Sequence, residues 1–192
     1  MDLSSYALVN LADTKTFLGT TSLSDDQIKL FINMATDLIE TATGRRLKTT
    51  TYTAEVFDGN GEKEMLLPQY PVTAFTSLEK NGALDNSSSW ETVDTDQYWR
   101  SDDEGRLIGV ARFACGVGNY RATFVAGYTS IPYDLQFACM KLVQLLGFSY
   151  KANGIESERL GDHSVVFSKS AMDPESDPMI KKVIDKYKKP IL

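Results

Sequence analysis

Residues 24–61 read SDDQIKLFINMATDLIETATGRRLKTTTYTAEVFDGNG, and the change of period inside this stretch decides the fold. Ser24 followed three residues later by Gln27 is a capping box, and Asp25 and Asp26 sit where the positive end of a helix dipole favours them. Ile28, Phe31, Ile32, Ala35, Leu38, Ile39 and Ala42 then repeat at helical spacing and give one apolar stripe. Gly44 supplies the stop, and Arg45-Arg46 follow beside the negative helix end. From Thr49 to Phe57 the residues are β-branched and aromatic, which predicts a strand. Asp58-Gly59-Asn60-Gly61 then predicts a hairpin turn.

Outward from this stretch the same switch recurs. Upstream, Asn10 caps a short helix carrying Leu11 and Leu18, with Asp13 as a partial capping box and Gly19 as its end. Downstream, Met65–Leu67, Ala74–Lys80, Trp90–Val93, Arg106–Val110 and Tyr120–Ala126 are further strand candidates. Asn81-Gly82 and Asp103-Glu104-Gly105 separate some of them as turns, Pro68 and Pro71 suit edges or connections, and Asp85–Ser89 has the composition of a mobile loop tip. Helix returns from Pro132, with Leu135, Ala138, Cys139, Leu142 and Leu146 as the stripe and Val143 and Leu145 widening it, and Asn153-Gly154 ends it. This helix is apolar nearly all round, which calls for burial on several sides, by its own fold or by neighbouring copies. Residues 155–176 show little periodicity, although Ser164–Phe167 has strand character, and Ser168–Asp177 has linker composition. Asp177 or Ser176 caps a last helix with Pro178 at its first position. Ile180, Val183, Ile184 and Tyr187 lie on one face of it, and Lys181, Lys182, Lys186, Lys188 and Lys189 on the other. The expected class is α+β: a helical core from 1–47 and 131–153, an inserted antiparallel β-lobe at 48–130, and a C-terminal arm with a terminal helix at 154–192.

Composition narrows the function classes. The chain has 192 residues, 42% hydrophobic and 24% charged, which suffices for a core without staples. Cys115 and Cys139 are far apart in apolar surroundings, so both are expected as buried free thiols. The N-terminus has no signal-peptide pattern, no stretch spans a bilayer, and no membrane partner is expected. A net charge of −6 argues against tight wrapping of nucleic acid, while leaving room for DNA to pass without sticking.

No catalytic constellation emerges. His163 is the single histidine and falls in a connecting segment, so a nucleophile–histidine pair or a zinc site lacks material. Asp58-Gly59-Asn60-Gly61-Glu62 resembles a calcium loop only faintly, because the twelfth position is Gln69. Asp102-Asp103-Glu104 reads as a solvated turn. Gly116-Val117-Gly118 lacks the helix and Lys-Ser/Thr pair of a phosphate loop. No metal or cofactor is expected, and no spacing selects a pair of acids for glycoside chemistry. The lysines of the last helix are either a solvated face or the charged side of a docking helix.

Three stretches together carry a family resemblance. Leu11-Ala12-Asp13-Thr14-Lys15-Thr16-Phe17-Leu18-Gly19 leads to the helix ending Ala42-Thr43-Gly44-Arg45-Arg46-Leu47. Tyr70-Pro71-Val72 precedes a Ser/Thr-rich strand. Gly127-Tyr128 and Ile131-Pro132-Tyr133-Asp134-Leu135 open the long helix, and Glu156 to Val165 follow it. In this order they resemble the head–tail connector (adaptor) family of long-tailed bacteriophages, in the longer version with a β-insertion found in prophages and gene transfer agents. The resemblance implies a virion structural protein, assembled in the host cytoplasm and placed at the head–tail junction. It implies a ring, usually dodecameric, under the portal protein, which extends the DNA channel and offers a platform to stopper or tail proteins. Subunits of such a ring can stay monomeric until the portal templates them. It implies no catalysis, and portal docking through Ile180, Lys181, Lys182, Val183, Ile184, Lys186, Tyr187, Lys188 and Lys189. Removing residues 178–192 is then expected to abolish portal binding and leave the rest folded. A tail-terminator or other tail-completion protein is the alternative, disfavoured by the two-helix opening. A carbohydrate-binding module with Trp90, Tyr98 and Trp99 as a stacking platform, and a hydrolase, stand further off.

Overall fold

The computed structural model describes residues 1–19, 21–82, 89–151, 157–160, 163–166 and 173–189. It is an α+β chain that divides into two compact units, Met1–Leu47 with Ser130–Leu192, and Lys48–Thr129.

The helical unit opens with α1 (Leu11–Leu18), capped by Asn10, whose side chain accepts the Asp13 N–H. Helix α2 (Asp25–Thr43) carries the full capping box. The Ser24 hydroxyl accepts from the Gln27 N–H at 3.3 Å, and the Gln27 side chain accepts from the Ser24 N–H at 2.8 Å. Its stripe is buried at Ile28, Phe31, Ile32, Ala35 and Ile39. Helix α3 (Tyr133–Lys151) starts just after Pro132, whose carbonyl accepts the Gln136 N–H, and buries Leu135, Ala138, Cys139, Leu142, Val143 and Leu146 against it. Strands β8 (Ser157–Leu160) and β9 (His163–Val166) form an antiparallel hairpin that places His163 opposite Leu160; only one of these strands was legible in the sequence. A 3₁₀ turn (Pro174–Ser176) leads into α4 (Pro178–Tyr187). The ending at Asn153-Gly154, most of the loop tip at Asp85–Ser89 and the first part of the 168–177 linker lie outside the described residues. Among the described residues no helix is long and apolar enough to cross a membrane.

The β unit is two antiparallel sheets around one core. Strands β1 (Thr50–Gly59), β7 (Gly116–Ala126), β3 (Val72–Asn81) and β4 (Trp90–Thr92) pair in the order β1-β7-β3-β4, and β2 (Glu64–Leu66), β6 (Arg106–Gly109) and β5 (Tyr98–Ser101) in the order β2-β6-β5. Met65, Leu67 and Leu107 from the smaller sheet meet Leu78, Tyr120 and Phe124 from the larger. Phe124 is the hub, stacked on Tyr52 at 5.1 Å and on Phe75 at 6.4 Å. The unit's two ends lie side by side: the Thr49 N–H donates to the Tyr128 carbonyl at 3.2 Å, as befits an inserted domain.

Three expectations need correcting here. Asp58-Gly59-Asn60-Gly61 is not a hairpin turn, because β1 and β2 belong to different sheets; the segment is where the chain crosses between them. Strand β5 was not anticipated. Its residues gain strand geometry from pairing with β6 across the turn at Asp102–Gly105, and not from an alternating pattern. Cys115 is exposed in the connection before β7, whereas Cys139 is buried as expected and its thiol is pushed up to about 12 by that burial.

Candidate assembly surface

The last helix is built by two caps in series. The Asp173 carboxylate accepts the Glu175 N–H at 3.0 Å, and Asp177 accepts those of Met179 and Ile180 at 2.9 and 3.2 Å. Pro178 occupies the position where a missing N–H costs nothing. Lys141 of α3 reaches Asp177 at 2.8 Å. The bond from Lys141 holds the Asp177 carboxyl below its ordinary value; burial opposes it, and the two backbone N–H groups add to it. A carboxylate lowered on folding stabilises the folded state above its unfolded value, and that contribution is lost as pH falls through the folded one. Asp177→Ala is therefore expected to lower stability by about 1 kcal/mol near neutral pH. The gap to the parent protein should close in acid, which denaturant titrations at both pH values would measure.

The apolar face of α4 meets its own unit. Ile180 and Ile184 are fully buried and Tyr187 is nearly so. The Tyr187 hydroxyl donates to Asp134 Oδ1 at 2.7 Å, and Lys186 Nζ donates to Asp134 Oδ2 at 2.6 Å. Burial pushes the Asp134 carboxyl up, but the bonds from Lys186, Tyr187 and the Leu135 N–H outweigh it, and the net shift is downward. The Tyr187 hydroxyl is raised by burial and by the carboxylate it serves. Past the helix end, the Lys189 N–H donates to the Thr43 carbonyl of α2 at 2.9 Å.

The residues proposed for docking thus separate. Ile180, Ile184 and Tyr187 are spent on the chain's own core, Val183 is half-buried, and Lys186 is engaged by Asp134. Lys188 stands 3.5 Å from Glu175, and Lys181, Lys182 and Lys189 are exposed. Burial of Ile180, Ile184 and Tyr187 in the helical unit argues against the expectation that residues 178–192 can be removed without unfolding the rest.

The Gly-Arg-Arg turn is a clamp. Gly44 adopts φ +71, and its N–H reaches the Glu40 and Thr41 carbonyls. The Glu40 side chain, 6% exposed, takes the Arg46 guanidinium and, at 3.0 Å, the Leu47 N–H. The same guanidinium lies 4.9 Å from the Tyr6 ring centroid. This arginine seals a helix end over a buried leucine.

Helix α3 is apolar on its outer side as well. Tyr133 is 88% exposed, Phe148 53% and Phe137 38%. Phe137 has one partner ring, Phe17 of α1, edge-on at 5.7 Å. Helical spacing puts Tyr133, Phe137 and Phe148 on one stripe, with half-buried Met140 at its border, opposite Leu135, Cys139, Leu142 and Leu146. The sequence signal was the nearly uniform hydrophobicity of this helix.

In the β unit the aromatic platform does not form. Tyr98 and Trp99 are successive residues of β5 and face opposite sides. Tyr98 packs on Phe75, Trp99 is 62% exposed beside a shallow cleft of about 330 Å³, and Trp90 lies under Arg121 in the other sheet. Among the described residues no group of His, Cys, Asp and Glu is placed to hold a metal ion.

Comparison with known proteins adds the following. Residues 7–190 match the family model described as head completion protein. Solved structures are similar over 100% of the chain. A chain from the neck of an empty gene transfer agent particle, computed with C6 symmetry, superposes with TM-score 0.52 at 18% identity, over 95% of its length. A chain from the virion of a native gene transfer agent particle gives 0.55 at 15%, over 94%. One from the neck of a native particle, computed with C12 symmetry, gives 0.50 at 17%, over 94%. At these identities the likeness is one of fold. No curated protein matches the chain.

Proposed function

This chain belongs to the head completion protein family, and from that premise we propose that it forms a ring of identical subunits beneath the portal of a tailed phage or gene transfer agent particle. It is a structural protein of the head–tail junction. The observation that carries the reading is the family match from residue 7 to residue 190. The fold shared with neck components of particles computed with C12 and C6 symmetry supports the ring. In this role the subunit lengthens the DNA channel and presents a platform to the stopper or tail, and it catalyses nothing. The net charge of −6 suits a wall past which DNA slides without binding.

Portal docking falls to the exposed side of α4. Five lysines stand against one aspartate between Pro178 and Lys189, and Ile180, Ile184 and Tyr187 beneath them are already covered. Rim charges of this kind act mainly on association rate and salt dependence. Charge reversal at Lys181 and Lys189 is expected to weaken portal binding about tenfold at low salt, and less at high salt, without loss of helix content.

The first experiment is native mass spectrometry of the protein mixed with the portal ring of its own particle. A complex with equal copy numbers of both proteins is the expected result. Folded subunits that leave an intact portal ring bare would overturn the reading.

A further inference from the structure

Asparagine followed by glycine has a chemistry of its own, because no Cβ keeps the glycine nitrogen from the asparagine side-chain carbonyl. The chain contains three such pairs, Asn60-Gly61, Asn81-Gly82 and Asn153-Gly154, and the last lies outside the described residues. The fold treats the other two differently. Asn81 is 8% exposed and pairs with Trp90 in the β3–β4 ladder. Asn60 is exposed on the crossing between the two sheets, directly after the end of β1.

At Asn60 the reacting groups are set out for ring closure. The Glu62 N–H donates to Asn60 Oδ1 at 3.0 Å. That bond polarises the side-chain carbonyl and is aimed at the negative charge that grows on its oxygen during attack. Nucleophile and electrophile sit on adjacent residues, so bringing them together costs no translational freedom. Gly61 adopts φ +77, and among the described residues nothing accepts its N–H. Asp58-Gly59, just upstream, could close the same ring but lacks this freedom. The Gly59 N–H is held by Asn119 Oδ1 at 2.7 Å, and the Asp58 carboxylate accepts the Gly118 N–H at 2.6 Å.

We propose that Asn60 is a self-modification site of the folded protein, where the side-chain amide is lost to attack by the Gly61 nitrogen and then by water. The Gly61 nitrogen bonds to Cγ of Asn60 and the Cγ–Nδ2 bond breaks. The proton of Gly61 passes through water to Nδ2, which leaves as ammonia. Water then opens the cyclic imide at either carbonyl and returns a proton to the Gly61 nitrogen. The product is aspartate or, with the backbone rerouted through the side chain, isoaspartate. Water is consumed, ammonia is released, and nothing is oxidised or reduced. The exchange matters to the fold because Asn60 Nδ2 donates to the Glu64 carbonyl at 2.7 Å, which ties the end of β1 to the start of β2. An oxygen in its place cannot donate. It sets a carboxylate against that carbonyl, in a segment that already carries Asp58, Glu62 and Glu64. The product therefore loosens the crossing between the sheets.

The test is to age the full-length protein in mildly alkaline buffer, folded and in denaturant, and to follow each Asn-Gly peptide by mass spectrometry and enzymatic methylation of isoaspartate. In the folded protein Asn60 is expected to convert about tenfold faster than Asn81, whose amide must first leave its buried site. In denaturant the two should converge. Equal rates in the folded protein, or Asn81 ahead of Asn60, would overturn the inference. A lead of Asn60 that persists in denaturant would trace it to sequence instead of fold and overturn it as well. Asn60→Asp supplies the product directly, and its tryptophan-fluorescence transition is expected at lower denaturant than the parent's; an unmoved transition would sink the role of this amide at the crossing.

Discussion

Ending the chain after Asp177 is expected to unfold the helical unit while the β unit keeps its structure. The lost helix carries Ile180 and Ile184, both fully buried, and Tyr187, whose hydroxyl bonds Asp134. Removing a buried isoleucine side chain costs roughly 2–4 kcal/mol. Two of them, plus the tyrosine, approach the whole stability of an ordinary domain, about 5–15 kcal/mol. Asp134 would also lose the two side-chain donors that hold its carboxyl down. The two units can be followed separately, because the chain's two tryptophans, Trp90 and Trp99, both lie in the β unit. The truncated protein should lose most of its helical circular dichroism and keep native tryptophan fluorescence. Ile184→Asp, which places a charge in the same core, should do the same in a full-length chain. Full helix content in either variant would mean that α4 contributes no core. Loss of portal binding on truncation therefore cannot by itself locate the portal contact, and the charge reversal at Lys181 and Lys189 is the variant that can.

What the sequence made legible was local. The capping box at Ser24 and Gln27, the left-handed glycine at position 44, and the Asn10 cap each depend on residues within a few positions, and all three stand where the spacing puts them. The long stripes of α2 and α3 were legible because their period is sustained over many turns. Strand β5 was not: Tyr98-Trp99-Arg100-Ser101 is a short run set among aspartates, and its pairing with β6 fixes it. The exposure of Cys115 was likewise set by where the crossing chain leaves it.

The candidate surface shows the same limit. An amphipathic helix announces an apolar face but not the owner of the surface it covers. For α4 that surface turned out to be α2 and α3 of the same chain, so the lysines, and not the isoleucines, are left for a partner. For α3 the excess of apolar residues over what one core can cover was visible in the sequence. Which of them face outward needed the fold, since Leu142 and Phe148 are equal in hydrophobic character and opposite in burial.

Gly59→Ala is the second large effect, and it falls on the β unit. In the structure Gly59 ends β1 where the chain leaves the larger sheet, and a Cβ there would stand 2.0 Å from the Ala114 carbonyl oxygen and 2.7 Å from the Tyr120 ring. The Ala114 oxygen is backbone, and the Ala114 N–H is itself held by the Tyr120 hydroxyl at 2.9 Å, so neither neighbour can yield alone. The Gly59 N–H also donates to Asn119 Oδ1 at 2.7 Å, a bond that any displacement of the strand would break. Overpacking that forces backbone to move costs about 1–3 kcal/mol, and the lost bond adds about 1 kcal/mol. The expected result is a fall of about 3 kcal/mol in the transition followed by tryptophan fluorescence, with the helical transition unmoved. Gly82→Ala is the matched control: no atom of the described residues lies within 4 Å of the added carbon, so its effect should stay within about 1 kcal/mol. Equal effects of the two substitutions would mean that the Asp58–Gly61 segment is an open turn after all, and that the crossing between the sheets is wrong.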